Sequence, residues 1–259
     1  MNYEDLLKWH RYYGNKNGDL VKSEGFEGVL ENVVIAPWWE HSIFESLATK
    51  IEQVGRKTYN VFGDGFEFSF VEMKNIGAPS IIEEVLTLGL TKCKNLIFLG
   101  SAGAIEENIN IGDIALPKAS VSGVGANRYL NDNLQDDFGK IYCPNKEFYY
   151  KALQIISTLD LNVKIHEIKN FSVDSIFAQF PHIEYMKNLG CQTIEMETAT
   201  LFKCAEIAGI KAVALFSISD NTIAHKSLIS GRTDDDIKRK NHTKSVLLPL
   251  AVTEILKII

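Results

Sequence analysis

Three carboxylates stand where apolar segments of the sequence give way to polar residues. Glu195 and Glu197 flank Met196 where a helical pattern begins, and Asp220 closely follows the apolar run Ala212–Phe216. A carboxylate accepts hydrogen bonds from two adjacent sugar hydroxyls, and the pKa of an Asp at the end of a buried strand is raised by desolvation. The pattern therefore indicates binding of a sugar diol, with Met196 packed under the ring, beside a general acid. Helix capping by the glutamates and an Asx turn at Asp220 are the structural alternatives.

A second group of candidate residues is Gly100–Ala104, with the sequence Gly-Ser-Ala-Gly-Ala, directly after the apolar run Leu96–Leu99. The run predicts a short strand that ends at Gly100. Glycines there allow backbone N–H groups to converge on an anion or a polar substrate, and the Ser101 hydroxyl adds one contact. A tight turn that packs small residues against a sheet is the alternative.

Other chemistry has little support in the sequence. The sequence contains no GxSxG, Walker A or HExxH motif, and no GxGxxG follows a strand. Cys93, Cys143, Cys191 and Cys204 show neither CxxC spacing nor a histidine at ligand distance, which predicts reduced, buried thiols and no metal or redox site. We therefore expect no cofactor.

Charge and hydropathy argue against nucleic-acid and membrane partners. The net charge is −6 and no basic stripe is present, whereas a phosphate backbone requires clustered cations. Lys238–Lys240 follows three aspartates, which indicates a solvated helix face. No apolar stretch reaches the roughly 18 residues of a membrane helix. The polar segment Met1–Asp5 predicts no signal peptide, so a cytoplasmic location is expected.

Alternating strand and helix patterns must position these residues. Residues 1–28 are polar and predict an N-terminal extension laid over a domain that spans residues 29–259. Predicted strands are Val29–Ala36, Phe66–Phe70, Leu96–Leu99, Ile114–Leu116, Val163–Ile168 and Ala212–Phe216, and predicted helices are Ser80–Leu90, Lys146–Thr158, Glu197–Ala208 and Asp234–Lys257. Ser80 with Glu83 forms a capping-box pattern, and Thr233 precedes three aspartates as an N-cap. This order indicates a single α/β domain.

Four segments, in this order and spacing, resemble the nucleoside phosphorylase and methylthioadenosine nucleosidase superfamily over residues 30–257. They are Asn75–Ser80, Gly100–Ala104 with Ile111–Asp113 after it, Glu195–Glu197, and Ser219–Asp220. The resemblance implies a single-domain, three-layer α/β fold with a central mixed, partly barrel-like sheet flanked by helices. It also implies a nucleoside as the small-molecule partner and a homo-oligomer, either a dimer or a hexamer, whose subunits complete each other's sites.

The resemblance also implies residue roles. Glu197 would bind the ribose 2′- and 3′-hydroxyls with Met196 against the sugar, and Asp220 would protonate or hydrogen-bond N7 of a departing purine. Gly100 and Ser101 would contact phosphate or the attacking water. Further candidates come from the segment that begins at Phe171, which resembles the strand leading to the base pocket: Ile176 or Phe177 would stack on the base.

The sequence departs from this family where phosphate binds. The phosphorylases carry Gly-Asp-Pro-x-Arg after the first strand, but this chain has Ile35–Trp39, and Phe98 stands where they place another Arg. Arg56 lies one residue from a position at which hexameric members lend an Arg to a neighbouring subunit, so it is a weak phosphate candidate. Phosphate thus remains a potential co-substrate. The nucleosidases need a carboxylate after the first strand to activate water, and Glu40 lies within one position of it; a helix N-terminal charge is the alternative for Glu40.

The sequence therefore predicts an enzyme that cleaves the N-glycosidic bond of a nucleoside. Hydrolysis with Glu40 as base is favoured over phosphorolysis, and purines are favoured because uridine phosphorylases lack an Asp at the position of Asp220. Arg232, twelve residues later, is a weak candidate to pair with Asp220. The alternatives are a uridine-type phosphorylase, which the stretch Ala104–Asp113 resembles, and a catalytically impaired nucleoside-binding protein of the same fold. A nicotinamide-dependent oxidoreductase lacks the fingerprint spacing.

Overall fold

A computed structural model of the protein describes residues 1–14 and 19–259. The strands in this part of the chain are β1 Asn32–Pro37, β2 Ala48–Gln53, β3 Thr58–Gly63, β4 Phe66–Met73, β5 Asn95–Ala104, β6 Ile114–Gly123, β7 Ile141–Tyr142, β8 Ile165–Val173, β9 Thr193–Glu195 and β10 Lys211–Asn221. The helices are α1 Tyr3–Tyr13, α2 Leu20–Glu24, α3 Ala78–Leu88, α4 Lys146–Thr158, α5 Ile183–Asn188, α6 Thr198–Ala208, α7 Asp234–His242 and α8 Leu248–Leu256.

The strands form one mixed sheet that is closed on one side and open on the other. The order is β10-β6-β8-β9-β5-β1-β4-β3-β2, and a further pairing between β10 and β5 closes five strands into a ring. β1, β4, β3 and β2 extend from β5 as an open sheet, and β7 pairs with β6. The closed ring and its extension confirm the predicted mixed, partly barrel-like sheet.

Helices cover both faces of this sheet. On one face, α3 and α6 contribute Ile81, Leu88 and Leu201 to an apolar cluster that includes Phe98 of β5. The other face is covered by α4 and α8, whose side chains pack on Leu99 and the neighbouring strands in a second cluster. Because both faces are buried, the central strands are continuous apolar runs, as in most parallel sheets. The three-layer arrangement is confirmed.

Several strands are longer than the apolar runs predict. β5 continues through Gly100 to Ala104, β6 extends to Gly123, β8 begins at Ile165 and extends to Val173, and β10 continues to Asn221. The ring strands keep a hydrogen-bonded ladder with their neighbours after the apolar run ends. The predicted end of a strand at Gly100 is therefore wrong.

Helix boundaries also differ from the prediction in two places. α3 begins at Ala78 with Gly77 as its N-cap, so Ser80 lies in the first turn and forms no capping box. Pro79 is compatible with that first turn because its missing N–H has no intrahelical partner there. The C-terminal helix is interrupted by a π-helical turn at Thr243–Leu247. The predicted N-cap Thr233 is confirmed, since it forms a capping box with Asp236.

The N-terminal region is attached to the domain rather than separate from it. The Tyr3 hydroxyl donates to the Leu86 carbonyl at 2.5 Å, and Phe26 is buried within the apolar cluster under α3. Cys143 is exposed, which corrects its prediction as a buried thiol; Cys93, Cys191 and Cys204 are buried and unbridged. None of the helices described is long and apolar enough to cross a membrane.

Candidate active site

A cavity of about 280 Å³ lies where the closed ring and the open sheet diverge. β5 pairs with β1 up to Phe98 and with β9 from Gly103, so Leu99–Ala102 has β10 as its strand neighbour on only one edge. Successive amides of a strand point to opposite edges, so alternate backbone groups of this segment are free of strand partners. Open α/β sheets bind ligands where neighbouring strands diverge in this way.

Gly100 and Ser101 line the cavity from this unpaired segment. A Cβ on Gly100 would lie 2.6 Å from Cε1 of Phe98, so glycine is required there because the Phe98 ring occupies the space. The backbone donors predicted for Gly100–Ala104 therefore come from a gap in the sheet and not from a turn. Ser101 is exposed, and its hydroxyl is accessible to a ligand.

Glu195 is buried at the cavity wall with its acceptor positions occupied by the protein. Its Oε2 accepts from the backbone N–H groups of Glu197 at 2.7 Å and Thr198 at 2.8 Å. Its Oε1 accepts from Ser172 Oγ at 2.6 Å, and also from Asn170 and Thr198 side chains. These bonds fix the start of α6, so the structure supports a positioning role for Glu195 instead of the predicted sugar contact.

Glu197 faces the cavity from the N-cap of α6. Its Oε1 accepts from the N–H of Gly77 at 2.6 Å, and its Oε2 accepts from the N–H of Met196 at 3.2 Å. Burial and the neighbouring charge of Glu195 raise the pKa of Glu197 to about 8. Hydroxyl groups donating to this carboxylate would lower that pKa, because hydrogen bonds to the charged form favour it.

Asp220 also lines the cavity, one residue before the end of β10. Its Oδ1 accepts from Ser219 Oγ at 2.6 Å, and a Cβ on Gly103 would lie 2.8 Å from its Oδ2. Burial raises the pKa of Asp220, although Ser219 and the guanidinium of Arg232 oppose the shift. Gly103 thus provides the space that the Asp220 carboxyl occupies at the cavity.

Arg232 does not form an ion pair with Asp220 in the described structure. Its guanidinium donates to the carbonyl oxygens of Ser219 at 3.2 Å and Leu228 at 2.6 Å. It therefore holds the segment after β10 against the end of that strand. Its effect on Asp220 is through charge and not through direct contact.

The apolar part of the cavity includes some of the predicted base contacts and excludes others. Ile176 lines the cavity with Val173 and Leu228, and Met196 adjoins them. Phe177 points away and is 92% exposed, because it follows Ile176 in a turn. Phe171 is buried in a separate apolar cluster with Met186 and lies outside the lining, so it supports the wall only indirectly.

Glu40 and Arg56, the two residues predicted to act on the acceptor, also lie outside the lining of this cavity, as Arg56 would if it served a neighbouring subunit. Glu40 is exposed immediately before a short 3-10 helix, and Arg56 is exposed with its guanidinium donating to the Ser23 carbonyl at 3.2 Å. Trp38 and Trp39 do line the cavity. Trp38 has a φ of 60° and its indole donates to the Lys74 carbonyl at 2.8 Å, which holds its ring at the mouth.

Lys240 and Lys244 line the cavity and were not predicted as site residues. Burial and the charge of Arg232 lower the pKa of Lys240; burial and the charge of Lys240 lower that of Lys244. The interpretation of Lys238–Lys240 as a wholly solvated face is thus wrong for Lys240. The i,i+4 spacing of these lysines was the available signal, because residues at that spacing share a helix face.

Within residues 1–14 and 19–259, no group of three His, Cys, Asp or Glu side chains could hold a metal ion. The site chemistry in the described residues thus comes from buried carboxylates, two lysines, backbone donors and apolar walls.

The fold and the cavity define a nucleoside phosphorylase-like α/β protein. Residues 39–250 match the profile of the phosphorylase superfamily. The chain belongs to this superfamily, which confirms the resemblance seen in its motifs.

Curated relatives and solved structures agree with this assignment. A DeoD-type purine nucleoside phosphorylase from Exiguobacterium sp. strain AT1b is 27% identical over 167 residues, 62% of this chain and 66% of that relative. One from Bacillus velezensis is 28% identical over 180 residues, covering 68% of this chain and 75% of the relative. This chain therefore matches roughly two thirds to three quarters of the length of these two enzymes.

Two solved structures share the fold. Uridine phosphorylase from Vibrio fischeri ES114 superposes with a TM-score of 0.72 at 19% identity, covering 89% of this chain and 92% of that one. The 5′-methylthioadenosine/S-adenosyl homocysteine nucleosidase from Campylobacter jejuni superposes with a TM-score of 0.67 at 16% identity, covering 89% and 100%.

Proposed function

We propose that this protein cleaves the N-glycosidic bond of a purine nucleoside and releases the free base. The observation that carries this proposal is the presence of Glu197 and Asp220, two buried carboxyl groups with raised pKa values, in one cavity with apolar walls. The Glu197 carboxylate suits a sugar diol, and the Asp220 carboxyl suits a leaving base. Perturbed carboxyl groups that converge in a cleft are typical of catalytic sites.

Cleavage of the N-glycosidic bond requires stabilisation of the charge that develops on the base and on the ribose. The departing base gains electron density, and the protonated Asp220 would donate a proton to N7 of a purine. The ribose develops oxocarbenium character, and Glu197 would hold its two hydroxyls while Met196 packs against the ring. Glu195 would keep Glu197 in place through the N–H groups at the start of α6.

Two observations support a purine base. An Asp at position 220 suits proton donation to N7 of a purine, an atom that a pyrimidine lacks. The relatives from Exiguobacterium sp. strain AT1b and Bacillus velezensis, 27% and 28% identical to this chain, are purine nucleoside phosphorylases. A uridine-type activity is the alternative, in line with the fold shared with a uridine phosphorylase. Base release from inosine, adenosine and uridine tests the choice, and faster cleavage of uridine would refute it.

The acceptor is either water or phosphate. The structure gives no support to hydrolysis with Glu40 as base, because Glu40 is exposed and lies outside the cavity lining. The carboxylates that line the cavity are Glu195, Glu197 and Asp220. Glu195 accepts hydrogen bonds from the protein on both oxygens, and the other two carboxylates are assigned above to the ribose and to the base. We therefore favour phosphorolysis. Base release measured with and without phosphate, together with detection of ribose 1-phosphate or free ribose, decides between the two acceptors.

A protein that binds nucleosides without turnover is the remaining alternative. It would show saturable nucleoside binding by calorimetry but release no base over hours with phosphate present. We further propose that the chain forms a homo-oligomer, since two large aromatic side chains are exposed: Trp38, which lines the cavity, at 66%, and Phe177, which follows the lining residue Ile176, at 92%. Light scattering coupled to size-exclusion chromatography tests this, and a monomer would refute it.

A further inference from the structure

Lys240 and Lys244 place two like charges one helical turn apart on the same side of the C-terminal helix. Both line the cavity, and neither ammonium forms an ion pair with a carboxylate among residues 1–14 and 19–259. Neighbouring like charges repel, and partial burial increases that cost. Such a pair is stabilised when an anion binds between the two ammonium groups.

The fold brings this lysine pair into the cavity through one close helix contact. A Cβ on Gly112, whose φ is +89°, would lie 2.7 Å from Cβ of Arg239, so glycine allows α7 to approach the sheet. Thr243 fixes the contact by donating to the Gly112 carbonyl at 2.5 Å. Lys244 lies in the π-helical turn that follows, a distortion often found at functional sites.

The Trp39 ring positions the Lys244 ammonium, and the charge of Glu40 acts on this ammonium without an ion pair between the two side chains in the described residues. Lys244 Nζ lies 4.8 Å from the centre of the buried Trp39 ring, a cation–π contact that leaves the positive charge available. The Lys240 carbonyl lies 3.5 Å from Ser217 Oγ, and Ser217 is the strand neighbour of Ser101. The two lysines and the unpaired β5 segment therefore bound the same part of the cavity.

We propose that Lys240 and Lys244 bind a phosphoryl oxyanion inside the cavity, with Ser101 and the free backbone donors beside it as further contacts. The proposal deepens the function proposed above and rests on it for the identity of the substrate. Tetrahedral oxyanions are bound by several charge-assisted hydrogen bonds, and the low-dielectric walls of Trp38 and Trp39 strengthen each of them. The oxyanion comes either from free orthophosphate, the acceptor, or from a phosphoryl group on the 5′ position of the nucleoside.

Calorimetric titration tests the proposal independently of catalysis. Orthophosphate is titrated into wild-type protein and into Lys240→Gln, Lys244→Gln and Lys238→Gln; a second series uses inosine 5′-monophosphate without free phosphate. Lys238 is the matched control because it lies on the same helix with its side chain 79% exposed. Lys240→Arg and Lys244→Arg keep the cation, and thermal melting confirms that each variant is folded.

We expect Lys240→Gln and Lys244→Gln each to weaken oxyanion binding roughly 10- to 100-fold, with Lys238→Gln unchanged and the Arg variants close to wild type. If the Gln variants bind orthophosphate more weakly than the wild type does, the bound oxyanion is free orthophosphate, the acceptor. Weakened binding of the nucleotide alone identifies a 5′-phosphoryl substrate. Equal affinities of wild type and both Gln variants for both probes would overturn the proposal. Failure of wild-type protein to release base from any nucleoside would instead refute the proposed function, with the titration result unaffected.

Discussion

Glu197→Gln is the most informative substitution in the cavity because it removes a titrating group while keeping the shape of the side chain. Glu197 is buried beside Glu195, and its pKa is raised from 4.5 to about 8. The amide can still accept from the N–H of Gly77, the shorter of the two bonds made by Glu197. Glutamine cannot take up a proton in this pH range, so the pH dependence of stability isolates the carboxyl.

The size and sign of the effect follow from proton linkage. Below pH 4.5 the carboxyl is protonated in both states; above it the unfolded chain releases the proton, while the folded protein keeps it until about pH 8. The folded state therefore binds one more proton, and the free energy of unfolding falls by up to about 1.4 kcal/mol per pH unit across this window. Between about pH 5 and pH 7.5 the loss approaches roughly 3 kcal/mol. Because Glu195 and Glu197 are coupled, this proton belongs to the pair.

Urea unfolding at several pH values measures this difference. The wild-type protein should lose stability as the pH rises, while Glu197→Gln should lose about 3 kcal/mol less over the same range. Glu206→Gln, an exposed change on the same helix, should follow the wild type. Parallel pH dependences for wild type and Glu197→Gln would refute the raised pKa. Separately, kcat/KM should fall roughly 10- to 100-fold in Glu197→Gln, since one charged acceptor for the ribose is lost.

Three further substitutions test the acid and the scaffold. Asp220→Asn should lower kcat for inosine by about 10²-fold or more, and wild-type kcat should fall as the pH rises through the raised pKa of Asp220, because only the protonated carboxyl donates. Gly103→Ala places a methyl group 2.8 Å from Asp220 Oδ2 and should lower kcat/KM roughly 10- to 100-fold by displacing that carboxyl. Lys203→Met removes the ammonium that pairs with buried Asp137 at 2.7 Å and should lower the free energy of unfolding by about 3–5 kcal/mol in urea titrations.

Matched changes elsewhere serve as controls. Asp234→Asn alters an exposed carboxylate, Gly125→Ala adds a methyl group whose nearest neighbour is 3.5 Å away, and Lys211→Met removes a lysine whose side chain is 49% exposed. Each should behave like the wild type. Near-normal turnover by Asp220→Asn would exclude Asp220 as the acid. Unchanged kinetics of Gly103→Ala would show that the carboxyl has room to move, and an unchanged free energy of unfolding for Lys203→Met would contradict the buried pair.

The sequence predicted six of the described strands in part, but not where they end, and the predicted strands do not include β2, β3, β7 or β9. Apolar runs identify a buried strand only while its side chains are apolar, and the ring strands continue with polar residues. Ser120, Asn170 and Ser172 are fully buried there and hydrogen-bond to one another or to Glu195. Their partners lie 23 and 50 residues away in the chain, so local periodicity carries no information about them. Such residues are interpreted from sequence as loop.

The sequence also predicted only part of the candidate site, because some of its contacts join residues that are far apart in the chain. Motif spacing identified Glu197 and Asp220, which the fold brings to one cavity. The role of Glu195 depends on donors from β8, which the sequence does not reveal. Lys240 was missed because adjacent charges concealed its helix phase. Arg56 stays a prediction, because its expected phosphate contact would lie in a neighbouring subunit and its guanidinium is exposed here.

The gap in the sheet at Leu99–Ala102 has a consequence for mutagenesis. Its hydrogen-bonding groups are main-chain atoms, which every side-chain substitution leaves in place. An alanine scan of the cavity would therefore retain these contacts in each variant and attribute too little of the ligand's affinity to β5. Replacing single amide bonds of this segment by esters removes the donors themselves. Evolutionary substitutions can accordingly change the side chains around the cavity, while the main-chain hydrogen-bonding groups of Leu99–Ala102 stay the same.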